Sequence, residues 1–164
     1  MTGKELAREL NMEARSTRRI LERVPFDKIN WKPHDKSMSL GRLATHIAEI
    51  PHWISNIVEL DEYDFLQHPY TPHEIASMDE LLALHEKNVQ AAASVLDGAN
   101  DEQLKKKWVV RRGEQVFFEL QKDIAVRSWA FSHLFHHRGQ LTVYLRLLDI
   151  PVPGLYGPTA DESM

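Results

Sequence analysis

The chain has 164 residues, 43% of them hydrophobic, which suits one domain spanning 1–164 around one core. Twenty basic residues against 24 acidic ones leave a formal net charge of −4, and the longest lysine run is Lys105-Lys106-Lys107, so nucleic acid is not expected as a partner. No stretch approaches the roughly 18 apolar residues of a membrane span and no cysteine is present; the expectation is a soluble cytoplasmic protein with no disulfide or thiolate metal site, in which any nucleophilic sulfur arrives on a ligand.

From the N-terminus, Leu6, Leu10, Ala14, Thr17, Leu21 and Val24 recur at steps of three and four, predicting a helix with one buried stripe that ends before Pro25. Phe26 to Met38, with Trp31, Pro33 and several charges, reads as an ordered connection. Ser39 is then placed to cap a second helix running to about Ile57, kinked at Pro51. Asp61 to Thr71 reads as irregular. Ser77-Met78-Asp79-Glu80 has the spacing of a capping box and opens a third helix that ends by Gly98. A short helical turn is expected in Asn100 to Lys107. Trp108–Arg111 and Gln115–Phe118 flank Arg112-Gly113-Glu114 as the arms of a small β-hairpin would. From about Leu120 to Asp149 the pattern is helical again and stops at Pro151, before a Gly/Pro-containing tail. The expected architecture is all-α: a four-helix bundle with a short hairpin before the last long helix.

The chemistry concentrates in histidines. His133 and His137 are four residues apart, a spacing that stacks two imidazoles on one helix face, with Val126, Ala130, Leu141, Tyr144 and Leu148. On the second helix, His46 shares its face with Leu43, Ile50, Trp53 and Ile57, so its ring is expected to point inward. Three buried imidazoles without partners would cost on the order of 1 to 3 kcal/mol each, and one shared cation removes that penalty. Two histidines from one helix and one from another make half or more of a bundle metal centre, and a three-histidine set leaves an open position. Periodicity does not separate His137 from His136, whose face carries Trp129 and Val143. His85, on the buried stripe of helix three, is a hydrogen-bonded core or pocket histidine or else a fourth ligand. His34, His68 and His73 fall in loops and His52 on a polar face, where solvated roles are expected. Glu49, one turn beyond His46, suits either a carboxylate supporting that ligand or an ion pair with Arg42. Gln140 and Tyr144, continuing the stripe of helix four, either line a pocket or cap and pack. Phe131 and Phe135 lie away from the histidines, as core or as a dimer face.

The segment Ser132-His133-Leu134-Phe135-His136-His137-Arg138-Gly139-Gln140-Leu141 resembles the H-x-x-x-H-R-G-Q motif of the DinB-like, or damage-inducible, helical bundle family, which includes YfiT-like metal-dependent hydrolases and thiol-dependent S-transferases. Trp31-Lys32-Pro33, Ser37-Met38-Ser39-Leu40 and Leu43-Ala44-Thr45-His46-Ile47-Ala48 are similar to that family's second-helix segment, and Tyr156 to Glu162 to the tail of one of its branches. The resemblance implies His46, His133 and His137 as ligands of a divalent metal, zinc or nickel, and a homodimer. It also implies thiol-dependent S-transfer or isomerisation, or hydrolysis, of a small-molecule substrate. An open metal position would lower the pKa of a bound water, or of a low-molecular-weight thiol serving as cosubstrate. The non-enzymatic alternative is a bundle that binds a metal or small molecule and breaks no bond.

Overall fold

The computed structural model of the chain describes residues 1–163. Helix α1 (Gly3–Leu21) opens on a full capping box: Thr2 Oγ1 accepts from the Glu5 amide and the Glu5 carboxylate accepts from the Thr2 amide. A short 3₁₀ turn at Phe26–Lys28 leads to α2 (Leu40–Glu49), capped by Ser39. Pro51 does more than kink the next stretch. With no N–H to continue the ladder, the chain makes short-range bonds from Trp53 to Ile50 and from Ile54 to Pro51, and restarts as α3 (His52–Glu59). After β1 (Glu62–Asp64), α4 (Met78–Gly98) begins at Ser77, whose hydroxyl accepts from the Glu80 amide. Glu80 reaches back to the Ala76 amide rather than to Ser77, so only half of the expected capping box forms.

The all-α expectation is corrected by a three-stranded mixed sheet. After the turn α5 (Asp101–Lys105), strands β2 (Lys107–Arg112) and β3 (Gln115–Gln121) pair antiparallel around Gly113-Glu114, with Gly113 at φ +58°, and β1 joins β2 in parallel. The hairpin was readable from its turn and its flanking β-branched and aromatic residues; the three-residue β1 acquires its conformation from Val109–Arg111. Asp64 Oδ1 locks the corner by accepting from the Leu66 and Gly113 amides.

The last helical segment starts as α6 (Lys122–Ala125), passes through a π-helical stretch at Val126–Phe131 and continues as α7 (Ser132–Leu147). Ser132 donates both its amide and its Oγ to the Arg127 carbonyl five residues back, the reach of the wider turn. Helices α1, α2, α3, α4 and α7 bury two apolar clusters. Leu6, Leu10, Trp53, Ile57, Leu96, Trp108 and Phe131 form one, near the sheet. Ile20, Leu21, Leu43, Ile47, Leu81, Leu141 and Leu145 form the other. Buried polar side chains interrupt these apolar stripes: Thr17 on α1, Glu49 at the end of α2, His85 and Asn88 on α4, His137 and Arg138 on α7. Glu49 and His137 among them belong to the candidate site.

The tail beyond α7 is tied down by charge. Glu162 pairs with Arg19 and Arg23, and Asp161 pairs with Arg146 while accepting from the Val152 amide. Phe131 is core, and Phe135 stacks on it at 6.1 Å.

Candidate metal centre

Three imidazoles converge where α2 meets α7. The ring centroids of His46, His133 and His137 stand 4.9, 4.6 and 4.7 Å apart, a nearly equilateral triangle. One ligand nitrogen from each lies within 4.8 Å of the other two, and His46 Nε2 faces His133 Nε2 at 3.1 Å. A tetrahedral ion holding nitrogens at about 2.1 Å would space them about 3.4 Å apart, so small ring rotations satisfy it. Among the described residues no carboxylate or further histidine joins this group.

The electrostatics suit a cation. Burial depresses the His133 pKa to about 4, and the neighbouring His137 and His46 push it the same way, while a backbone contact to Trp129 opposes them. Burial likewise brings His137 to about 4, against the opposing hydrogen bond to Gln140. Both rings are therefore neutral at pH 7 and offer lone pairs. Gln140 Oε1 sits 2.7 Å from His137 Nδ1; an amide oxygen only accepts, so the proton is on Nδ1 and Nε2 is free for the metal.

Behind His46 stands Glu49, only 6% exposed. Its Oε1 accepts from the His73 amide at 2.7 Å and from His73 Nδ1 at 2.8 Å, and its Oε2 accepts from Arg42 at 3.2 Å and from the Tyr70 hydroxyl. Burial pushes the carboxyl upward, but His46, the His73 amide, Tyr70 and the His73 ring outweigh it and hold the group well below the usual carboxylate range. The same carboxylate, with burial, raises Tyr70 to about 12. Arg42 was an expected partner of Glu49; Tyr70 and His73 were not. They lie in the irregular segment before α4, and His73, 60% exposed, is solvated as expected while still serving the carboxylate. No periodic signal marks them.

The remaining predicted residues separate. His136 points outward and His137 inward, which resolves the pair that periodicity left open. His85 is buried but belongs to another contact, its Nε2 3.2 Å from the Ala14 carbonyl of α1. Tyr144 lies elsewhere, its hydroxyl on the Met38 carbonyl and its ring edge-on to Trp31. Trp53 lines a cavity of about 680 Å³ between α3, α4 and the segment of Tyr70 and His73. Glu49 and Tyr70 line that cavity too, while none of the three histidines does, and Tyr70 stands edge-on to His46 at 6.4 Å.

The DinB family matches the chain over residues 1–164. The chain belongs to the DinB family. Among its relatives, this DinB protein is 25% identical over 153 residues to the uncharacterized protein YrdA of Bacillus subtilis strain 168, covering 92% of the chain and 85% of YrdA. It is 24% identical over 130 residues to the uncharacterized protein YjoA of the same strain, covering 79% and 80%. The crystal structure of YjoA, a DinB-like protein, superposes with a TM-score of 0.73 at 20% identity, covering 93% of this chain and 97% of that one. A DinB-like protein from Bacillus cereus ATCC 10987 gives 0.68 at 23% identity, covering 92% and 95%. These likenesses establish the DinB-like fold.

Proposed function

We propose that this DinB protein is a metal-dependent enzyme acting on a small molecule, in which His46, His133 and His137 hold a divalent cation, zinc or nickel, within a four-helix bundle. The observation that carries the reading is the triangle of imidazoles, with His133 and His137 held unprotonated by burial and no further histidine or carboxylate among the described residues joining the group. A bound cation would supply Lewis acidity, lowering the pKa of an oxygen or sulfur ligand. The chain's own part is orientation. Gln140 fixes the His137 tautomer, and burial keeps His133 and His137 unprotonated. Between the two chemistries, we favour transfer or isomerisation with a low-molecular-weight thiol over hydrolysis on the family resemblance alone, since a chain without cysteine suits a borrowed thiol and a hydrolase equally well. The protein is proposed to act in the cytoplasm as a homodimer; among the described residues no helix is long and apolar enough to cross a membrane.

The test is elemental analysis of protein purified without an affinity tag, for wild type and for His46→Ala, His133→Ala and His137→Ala. About one metal per chain, lost or sharply reduced in all three variants, is the expected result. The loaded protein is then assayed for consumption of a small thiol with an electrophile and for ester hydrolysis. Wild-type protein that stays metal-free after incubation with zinc and nickel would overturn the reading. A loaded protein inactive in both assays would favour a metal- or small-molecule-binding protein that breaks no bond.

A further inference from the structure

We infer that Glu49 is the positioning residue of the metal centre: its carboxylate accepts a hydrogen bond from the Nδ1–H of His46 and thereby fixes that imidazole with its Nε2 lone pair turned toward His133 and His137. The inference rests on the metal reading above and adds a residue outside the ligand set. The two nitrogens of an imidazole point to opposite sides of the ring, and His46 Nε2 faces His133. Nδ1 therefore points away from the cluster, where it is buried without a hydrogen-bond partner. A buried, unpaired N–H is costly, and the polar atom facing it is Glu49 Oε2 at 3.8 Å, about 1 Å beyond a hydrogen bond. A cation held through Nε2 would require the proton on Nδ1, and the carboxylate is the acceptor in place for it.

The surroundings are built to keep that acceptor charged and in position. Arg42 comes from the first turn of α2, while Tyr70 and His73 come from the irregular segment between β1 and α4. Asn88 Nδ2 donates to the Ala48 carbonyl at 2.9 Å and ties the end of α2 that bears Glu49 to α4. A carboxylate serving only as a surface ion-pair partner of Arg42 would need none of these donors and would not be buried.

The experiment measures zinc affinity by competition with a chromophoric chelator for wild type, Glu49→Ala, Glu49→Gln and, as a control on the rim of the same cavity, Glu59→Gln. Zinc-loaded wild type labelled with ¹⁵N at histidine reports which His46 nitrogen carries the proton. Glu49→Ala is expected to weaken zinc binding by about 10- to 100-fold and Glu49→Gln by less, since the amide oxygen still accepts but carries no charge. Glu59→Gln is expected to match wild type, and His46 to show a protonated, hydrogen-bonded Nδ1. Affinities within twofold of wild type in both folded Glu49 variants, or a protonated Nε2 on His46, would overturn the role while leaving the metal site standing. Wild type that takes up no zinc removes both. Should Glu49→Ala fail to fold, Glu49→Gln and the wild-type tautomer decide.

Discussion

Adjacent residues of one helix, His137 and Arg138, serve two buried polar clusters that differ in completeness. Arg138, 1% exposed, reaches α1: its guanidinium donates to the Glu13 carboxylate at 2.6 Å, to Thr17 Oγ1 at 3.1 Å and to the Glu13 carbonyl at 3.2 Å, and the Tyr156 hydroxyl closes the group from the tail. Charge meets opposite charge, and each component has a partner. On the other side, three imidazoles face one another, the Nε2 atoms of His46 and His133 stand 3.1 Å apart, and His46 Nδ1 has no partner. A satisfied cluster holds helices together. An unsatisfied one, in which burial keeps His133 and His137 unprotonated, could hold a cation.

That contrast is broken first by paired substitutions in metal-free protein. Arg138→Ala leaves the Glu13 carboxylate half-buried and unpaired, and is expected to cost about 3 to 5 kcal/mol. The melting temperature should fall by roughly 10 °C on the scale for a chain of this size. His133→Leu, which replaces a half-buried imidazole with an apolar side chain, is expected to leave the metal-free melting temperature unchanged or raised. Thermal unfolding of the two variants side by side checks this; equal losses would mean that the histidines are as structural as the arginine.

The same two clusters show what was legible in the sequence. Periodicity revealed α1, α4 and α7 and the inward faces of His46 and His133, because helix geometry is local and repeats every 3.6 residues, but it left His136 and His137 unseparated. The partners of Arg138 lie 18 residues ahead at Tyr156 and 125 residues back at Glu13, and no local pattern records such pairings. Tyr70 and His73 escaped notice for the same reason, since they sit in an aperiodic segment and matter only through Glu49. Strand β1 and the π-helical stretch before His133 were invisible because the first depends on a partner strand and the second on one widened turn inside an otherwise regular helix.

A second, smaller effect is the response to pH. In the metal-free protein His133 and His137 are held at about 4, below the ordinary imidazole value near 6.5. Between those values the unfolded chain binds protons that the folded chain refuses, so stability is complete above about pH 6.5 and declines as the pH falls toward 4. After allowance for solvent screening and for coupling between the rings, the decline due to these two is about 2 kcal/mol. His85, depressed by burial, adds in the same direction, so His133→Leu should flatten the curve without abolishing the slope. Denaturant titrations at pH 7, 6 and 5 measure it. A slope indifferent to His133→Leu would place the sensitivity outside the cluster.

The smallest effect tests whether the complete cluster is as rigid as its hydrogen bonds suggest. Tyr156 is 70% exposed, yet its hydroxyl donates to Glu13 at 2.8 Å and its ring lies 5.0 Å from the Arg138 guanidinium, with Phe135 edge-on. Tyr156→Phe keeps the ring over the cation and removes one donor near water, so the expected loss is about 0.5 to 1 kcal/mol. Tyr156→Ala removes the ring as well and should cost about 1 kcal/mol more, with the tail still pinned by Glu162 on Arg19 and Arg23. Hydrogen exchange at Val152 and Gly154, whose amides bond to Asp161 and Glu162, reads the tail directly. Exchange unchanged in Tyr156→Ala means that the acidic pair alone anchors the tail; faster exchange means that Arg138 holds the tail as well as α1, which would extend the structural side of the helix from α1 to the segment of Asp161 and Glu162.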